Sequence, residues 1–445
     1  MKSIRVFYLT APAIAAILSL QAQQPPPAVT SPATAPAVPP AAIVPPATPG
    51  APAVPFEQLP TLTAANILQP QYLSGPNFTV RPAVPAYAGE NQYTIDSDFG
   101  VFSAGSNQML MRRVAEINGI AQLQALSKTD EFGKAVAQAA GTPLNVAQDL
   151  VTNPVNTIAS VPRGIFGFLR GAGEELKRVT QDGGGDFNAG QTVSNLSGLA
   201  KTKRDLSLKM GVDPYCNNPA FQHELSKVAW PAFLGKLTVN LGMAAVTGGI
   251  GTALSVANWT STLQNSLRDK SPTDLRVMNL SLLVDSMGVS RADSDEFLNN
   301  PNISPTTQTI IVAALSQLGN IPGQAEFIRY AATSQTELDA LGYQLSVQIM
   351  VKLNNVDSIV RITHLAGLAV CQTQSGAVVV PIQWDYVAWT PGVARFITEL
   401  KARKFSAPPK AYTVMINGAA SPTAAQALEG LGVKLITKAV AGPLQ

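Results

Sequence analysis

The sequence predicts an α+β fold: a mainly helical middle flanked by an N-terminal strand hairpin and a C-terminal region of mixed strands and helices. Three observations carry this expectation. Near residues 76–103 apolar residues alternate with polar ones at a period of two. From Gln108 they recur at three and four. In the last ninety or so residues, runs rich in Val, Ile and aromatics return, in a strand–helix–strand succession. The same changes set the expected divisions: hairpin plus amphipathic helices at 58–180, a flexible connection at 181–204, a helical domain at 205–355 and an α/β domain at 356–445.

The chain opens MKSIRVFYLTAPAIAAILSLQAQQPPP. Lys2 and Arg5 precede an uncharged, mostly apolar run from Val6 to Leu20, and Ala22 stands before a polar flank. This is the pattern of a secretory signal over 1–22, which implies export to a periplasmic or extracellular compartment. Residues 23–57 follow as a Pro/Ala-rich linker that carries no charge through Pro55. Proline lacks an amide proton and favours polyproline II, so this segment reads as an extended spacer with a reach of about 100 Å.

In the hairpin, NFTVRPAV and NQYTIDSDFGVFSAG are the strands, and PAYAGEN turns the chain between them. Tyr93, Ile95, Phe99 and Val101 are expected on one face, and Thr94, Asp96 and Asp98 on the other. The next element is a helix from Gln108 toward Leu126. It has Met111, Val114 and Ile117 on its apolar side, with Arg112, Arg113 and Glu116 opposite. A shorter helical stretch, DEFGKAVAQAA, follows.

Helix starts are legible as hydroxyl or amide caps followed by proline: Thr142-Pro143, Asn153-Pro154, Ser271-Pro272, Ser304-Pro305, Thr390-Pro391 and Ser421-Pro422. The cap side chain accepts from a first-turn amide, and proline has no amide to leave unsatisfied. Asp274, three residues after Ser271, adds a capping-box carboxylate. Later, SIVRITHLAGLAV and GAVVVPIQWDYVAW read as paired strands, and AYTVMING…VKLIT as a parallel pair joined through a helix.

Two stretches raise the question of a membrane. Residues 162–179 as a helix place Ile165, Leu169, Leu176 and Val179 on one stripe, against Arg163, Arg170, Lys177 and Arg178. Four glycines and the pair Glu174–Glu175 favour packing within the protein over peripheral membrane contact. Residues 237–259 are long enough to span a bilayer. Their Thr, Asn and Gly content favours a buried core segment.

Chemistry is sparsely marked. Only 13% of residues are charged and the net charge is +3, which argues against a nucleic-acid partner because phosphates need a basic groove. His223 sits in HELSK, where Lys227 replaces the second histidine of a zinc helix. His364 falls in an expected strand. No metal-ligand set, phosphate loop or G-x-S-x-G elbow is present, so no cofactor is expected and no catalytic set is legible.

Asp96 and Asp98 share a polar strand face, as paired carboxylates of sugar hydrolysis can. Asp385 lies among Trp384, Tyr386 and Trp389, where planar rings beside a carboxylate suit a glycan or peptide. Cys216 and Cys371 are candidates for a disulfide in an oxidising compartment. The resulting expectation is an exported, noncatalytic binding or structural protein of the cell envelope, with an envelope protein or glycan as partner. An envelope hydrolase using carboxylates and a membrane-associated assembly component are the alternatives.

Overall fold

A computed structural model describes residues 54–140, 189–239 and 261–445, which belong to one compact unit. The leader, the linker through Ala53, the stretch 162–179, the run 237–259 beyond Val239 and the caps at Thr142 and Asn153 lie outside the described residues. The chain is an α+β protein. No helix among the described residues is long and apolar enough to cross a membrane.

The N-terminal part forms two small antiparallel sheets, in the region where a hairpin or small antiparallel sheet was expected. Its elements are β1 (Thr61–Thr63), α1 (Ala64–Ile67), α2 (Pro70–Leu73), β2 (Ser74–Gly75), β3 (Phe78–Val80), β4 (Ala83–Tyr87), β5 (Glu90–Asn91), β6 (Tyr93–Ser97) and β7 (Gly100–Ala104). The strand orders are β1-β4-β5 and β2-β3-β6-β7. A two-residue turn joins β4 to β5, with Ala88 at φ 50° and Gly89 at φ 90°. Positive φ at both central positions matches the right-handed twist of a hairpin, and Ala88 holds that conformation without glycine's freedom.

Along β6, Tyr93 and Ile95 are buried and Asp96 is exposed, as the alternation predicts. That alternation stops at the next turn, where the Ser97 hydroxyl donates to Gly100 O and accepts from Phe99 N. Val101 therefore pairs with Asp96 on the outer face, and Phe102 with Ile95. Val101 is left exposed because a period of two does not carry through a turn.

Helices α3 (Asn107–Ser127), α4 (Asp130–Ala140), α5 (Ala189–Lys209) and α6 (Pro219–Phe233) build one cluster around Ile120, Leu123, Leu206, Phe221 and Leu225. Helix α5 occupies most of the segment 181–204 that was read as a flexible connection. Leu199 and Leu206 pack into this cluster and Lys203 Nζ donates to Ser226 Oγ of α6 at 2.8 Å, so the contact mixes apolar and polar residues. Gly198 rests on the Phe233 ring, where a Cβ would collide. Gly119 does the same for Phe221, which explains a glycine inside the long helix α3.

Further along lie α7 (Ser261–Asp269), α8 (Pro272–Ser281), a π turn at Leu282–Ser286, α9 (Arg291–Asn299), α10 (Pro305–Gln317), α11 (Gln324–Ala332) and α12 (Glu337–Asn354). Ser271 and Ser304 cap α8 and α10 as their prolines predict, and Ser271 closes a capping box with Asp274. A second box, Thr336 with Asp339, starts α12.

The C-terminal sheet has the order β14-β12-β10-β9-β8, from β8 (Ile359–Leu365), β9 (Leu368–Thr373), β10 (Ala377–Ile382), β12 (Ala411–Ile416) and β14 (Val433–Ile436). Pairs 8–9 and 9–10 are antiparallel, and 10–12 and 12–14 are parallel. Short strands β11 (Tyr386–Val387) and β13 (Ala419–Ala420) pair beside it. Helices α13 (Pro391–Ala402) and α14 (Pro422–Gly430) begin at the predicted caps Thr390 and Ser421.

Both faces of this sheet are covered, which is why β10 is almost continuously apolar. Val378, Val380 and Ile382 pack with Phe396, Leu400 and Leu428 of α13 and α14. Val379, Cys371 and Ile362 pack with Leu345, Ile349, Phe327 and Leu315 of the helical middle. The middle and the C-terminal part therefore share one core across residue 356. The tail returns to the N-terminal part, where Gln445 N donates to Ile67 O and Gln69 N to Pro443 O, each at 2.9 Å.

Candidate functional site

After β10 the chain passes through Trp384 and Asp385 into β11, held by its main chain. Asp385 N and Tyr386 N both donate to Gly89 O, at 2.7 and 3.1 Å, and Ala419 N donates to Asp385 O at 3.0 Å. Gly418 permits that approach, since a Cβ there would overlap the Asp385 carbonyl. The segment is thereby fixed between the β4–β5 turn and β13, and its side chains alternate in direction.

Trp384 and Tyr386 face outward and line a cavity of about 220 Å³. Its other walls are the Ala88–Gly89 turn, Leu59, and the first turn of α13 through Thr390 and Val393. No Asp, Glu, His, Lys or Arg lines it. Gly89 lets the Trp384 indole lie against the turn; a Cβ at this position would run into the ring.

Asp385 points the other way and is fully buried. Its Oδ2 accepts from Asn107 N at 2.8 Å and Asn91 N at 3.2 Å, and its Oδ1 accepts from Asn417 Nδ2 at 3.3 Å. Asn107 is the first residue of α3, so the carboxylate satisfies an amide that the helix cannot, at the positive end of its dipole. Asn107 Oδ1 in turn accepts from Tyr93 Oη at 2.5 Å and Asn91 Nδ2 at 3.1 Å. Asp385 is therefore a buried anchor, where the sequence suggested a carboxylate presented to a ligand.

Burial pushes the Asp385 carboxyl up to about 7, against the lowering effect of the amides of Asn107 and Asn91 and the Asn417 side chain. Glu90, next to the cavity wall, is also raised to about 7, by burial first and then by the charges of Asp385 and Asp339. Trp389 is buried, with its ring centroid 6.2 Å from that of Phe56, and its amide donates to Glu57 Oε2 at 2.6 Å.

The other predicted positions stand apart from the cavity. Asp96 is exposed and forms a two-point ion pair with Arg81 at 2.8 and 2.9 Å, whose hydrogen bond holds its carboxyl below the usual value. Asp98 lies in the exposed turn after β6, with its amide on Asn77 O. His364 is buried in β8, stacked on Tyr330 at 4.4 Å with Glu326 at 3.7 Å. Its pKa falls to about 4, mainly because burial disfavours the charged ring.

Cys216 and Cys371 are both free thiols. Cys371 packs in the core between the sheet and the helical middle, and Cys216 packs against the α3–α6 cluster, so the proposed disulfide does not form. Among the described residues, no group of three or more His, Cys, Asp and Glu is placed to hold a metal ion.

One polar feature was missed. Arg112 and Glu116 are buried within an ionic network instead of facing solvent from α3. Arg112 Nη1 lies 3.0 Å from Glu337 Oε1 and 3.6 Å from Asp213 Oδ2, and Arg113 Nη1 lies 2.7 Å from Glu116 Oε2. Thr306 Oγ1 donates to Asp213 Oδ1 at 2.5 Å, and Asn218 Nδ2 to Glu116 Oε2 at 2.7 Å. Burial raises both Glu116 and Asp213 despite their arginines, and pushes the Cys216 thiol well up. A basic pair followed by a glutamate three residues on is equally the pattern of a solvated helix face, so the sequence held no signal for it.

Comparison of the chain with family models, with curated proteins and with solved structures finds no match.

Proposed function

We propose that this chain is an exported, noncatalytic binding protein of the cell envelope whose ligand is seated at the Trp384–Tyr386 cavity. The observation that carries the reading is the composition of that cavity. Two planar rings, small and aliphatic residues and the Thr390 hydroxyl form its walls, and no Asp, Glu, His, Lys or Arg lines it. General acid–base or nucleophilic catalysis needs such a group within reach of the reacting atom. Of the ionisable side chains nearby, Asp385 is engaged on the amides beneath and Glu57 on Trp389 N and the Ser421 hydroxyl, while Glu90 follows the wall residue Gly89 without lining the cavity. An aromatic-lined, uncharged cavity suits a neutral ligand held by stacking and a few hydrogen bonds. The leader-like start of the chain and the Pro/Ala-rich spacer support export and a body held at a distance.

The test is a calorimetric titration of the chain without residues 1–22 against two probes, neutral N-acetylglucosamine oligomers and neutral proline-containing peptides. At least one should bind, and Trp384→Ala and Tyr386→Ala should each weaken it about tenfold or more, with the thermal midpoint shifted by only a few degrees. Binding that neither substitution weakens would place the ligand elsewhere and end the proposal.

A further inference from the structure

Resting on that reading of the cavity, we infer that its ligand is an uncharged, proline-rich segment of a partner protein rather than a glycan. A cavity of about 220 Å³ is smaller than the roughly 300–1,000 Å³ that engulfs a whole small molecule. It fits one or two residues of a longer ligand whose remainder lies across the mouth.

Apart from its two rings the wall is largely apolar. Leu59, a wall residue, is 41% exposed, and Val387, Val393 and the two alanines complete the apolar part of the wall.

Hydrogen-bonding capacity decides between the two neutral ligand classes. A sugar presents a hydroxyl at nearly every ring carbon, and each loses water on binding and needs a partner. The cavity offers only the Trp384 indole, the Tyr386 hydroxyl and the Thr390 hydroxyl as polar side chains, and Thr390 Oγ1 already accepts from Val393 N. A polyproline II segment has the opposite requirements. It has flat apolar rings and few donors, and it is already extended when free, so binding orders little that was disordered. Grooves lined by Trp and Tyr are the surfaces such segments dock on, with an aromatic N–H or O–H meeting a ligand carbonyl. Charge agrees, since a lining without ionisable groups neither needs nor rewards a charged ligand.

The probe is a peptide of sequence AVPPAAIVPPATP, which this chain itself carries at residues 37–49, with a control in which every proline is alanine. Both are titrated into the chain without residues 1–53, which keeps Phe56 and the bonds of Glu57 to Trp389 and Ser421, and into Trp384→Ala and Tyr386→Ala of the same body, with thermal melts to confirm folding. The expected result is saturable binding of the proline peptide, at least about tenfold weaker for the alanine control and for both variants. N-acetylglucosamine oligomers binding in a Trp384-dependent way while the peptide does not would overturn the peptide assignment and leave the cavity as the binding site. Peptide binding that ignores both substitutions, or no binding of either probe, would overturn both.

Discussion

At about pH 4, where the folded Asp385 carboxyl is protonated, Asp385→Ala lowers the free energy of unfolding by about 3–5 kcal/mol and Asp385→Asn by no more than about 1 kcal/mol. Alanine strips acceptors from two buried main-chain amides, Asn91 N and Asn107 N, and from the Asn417 side chain. Each buried donor left unpaired costs roughly 1–3 kcal/mol, and one of them is at the start of a long helix. Asparagine keeps an oxygen in place of Oδ2 for both amides. Its new NH2 would meet Asn417, whose Oδ1 has no partner at present, so a turned Asn417 amide accepts it. Urea unfolding of the two variants separates these outcomes. Equal losses for Ala and Asn would show that an acceptor oxygen at this position does not hold the two amides.

The same pair of proteins isolates a pH effect. The folded pKa of Asp385, about 7, lies above its value in the unfolded chain, so its stabilising contribution is complete at low pH. That contribution is lost as pH rises from about 4 through 7. Glu90 behaves in the same direction, and His364, lowered to about 4, in the opposite one, losing its contribution as pH falls from about 6.5 through 4. The total profile therefore mixes signs, but the difference between the native chain and Asp385→Asn removes most shared terms. That difference should decline by a few kcal/mol in favour of the asparagine variant between about pH 4 and 7. A difference that stays flat across this range would mean that the carboxyl titrates normally.

The cavity and its anchor show how far sequence reading reached. The aromatic group at 384–389 is visible as composition, and its position after an expected strand is local information. The opposite directions of Asp385 and its two neighbours depend on amides from β5 and the start of α3, far away in the chain, which no spacing records. Hydroxyl–proline caps such as Ser304 and Thr390 were legible because cap and helix lie within four residues of each other. Helix α5 was not, because Gly198, which reads as a break in sequence, serves close packing on Phe233. Val101 was assigned to the wrong face because the turn at Ser97–Gly100 resets the alternation.

Arg112→Met destabilises the fold by about 3–5 kcal/mol, although the thioether fills much of the same space. Arg112 lies 3.0 Å from Glu337 and 3.6 Å from Asp213, and its side chain and that of Asp213 are only 7% and 5% exposed. Removing the cation leaves Asp213 with the Thr306 hydroxyl and Tyr215 amide as donors but with no positive partner at contact distance. A buried carboxylate in that position must either remain charged at a cost or take up a proton, and both routes weaken folding at neutral pH. Asp213→Asn in the same protein should recover a large part of the loss. The asparagine oxygen keeps the bonds from Thr306 and Tyr215, and there is no longer a charge to compensate. A double-mutant cycle therefore gives a coupling of about 1.5 kcal/mol or more between positions 112 and 213, read from urea midpoints at pH 7. Strictly additive losses would mean that Arg112 acts through its bonds to Glu337, Thr307 and Gln344, and that Asp213 owes its place to Thr306 and Tyr215 alone.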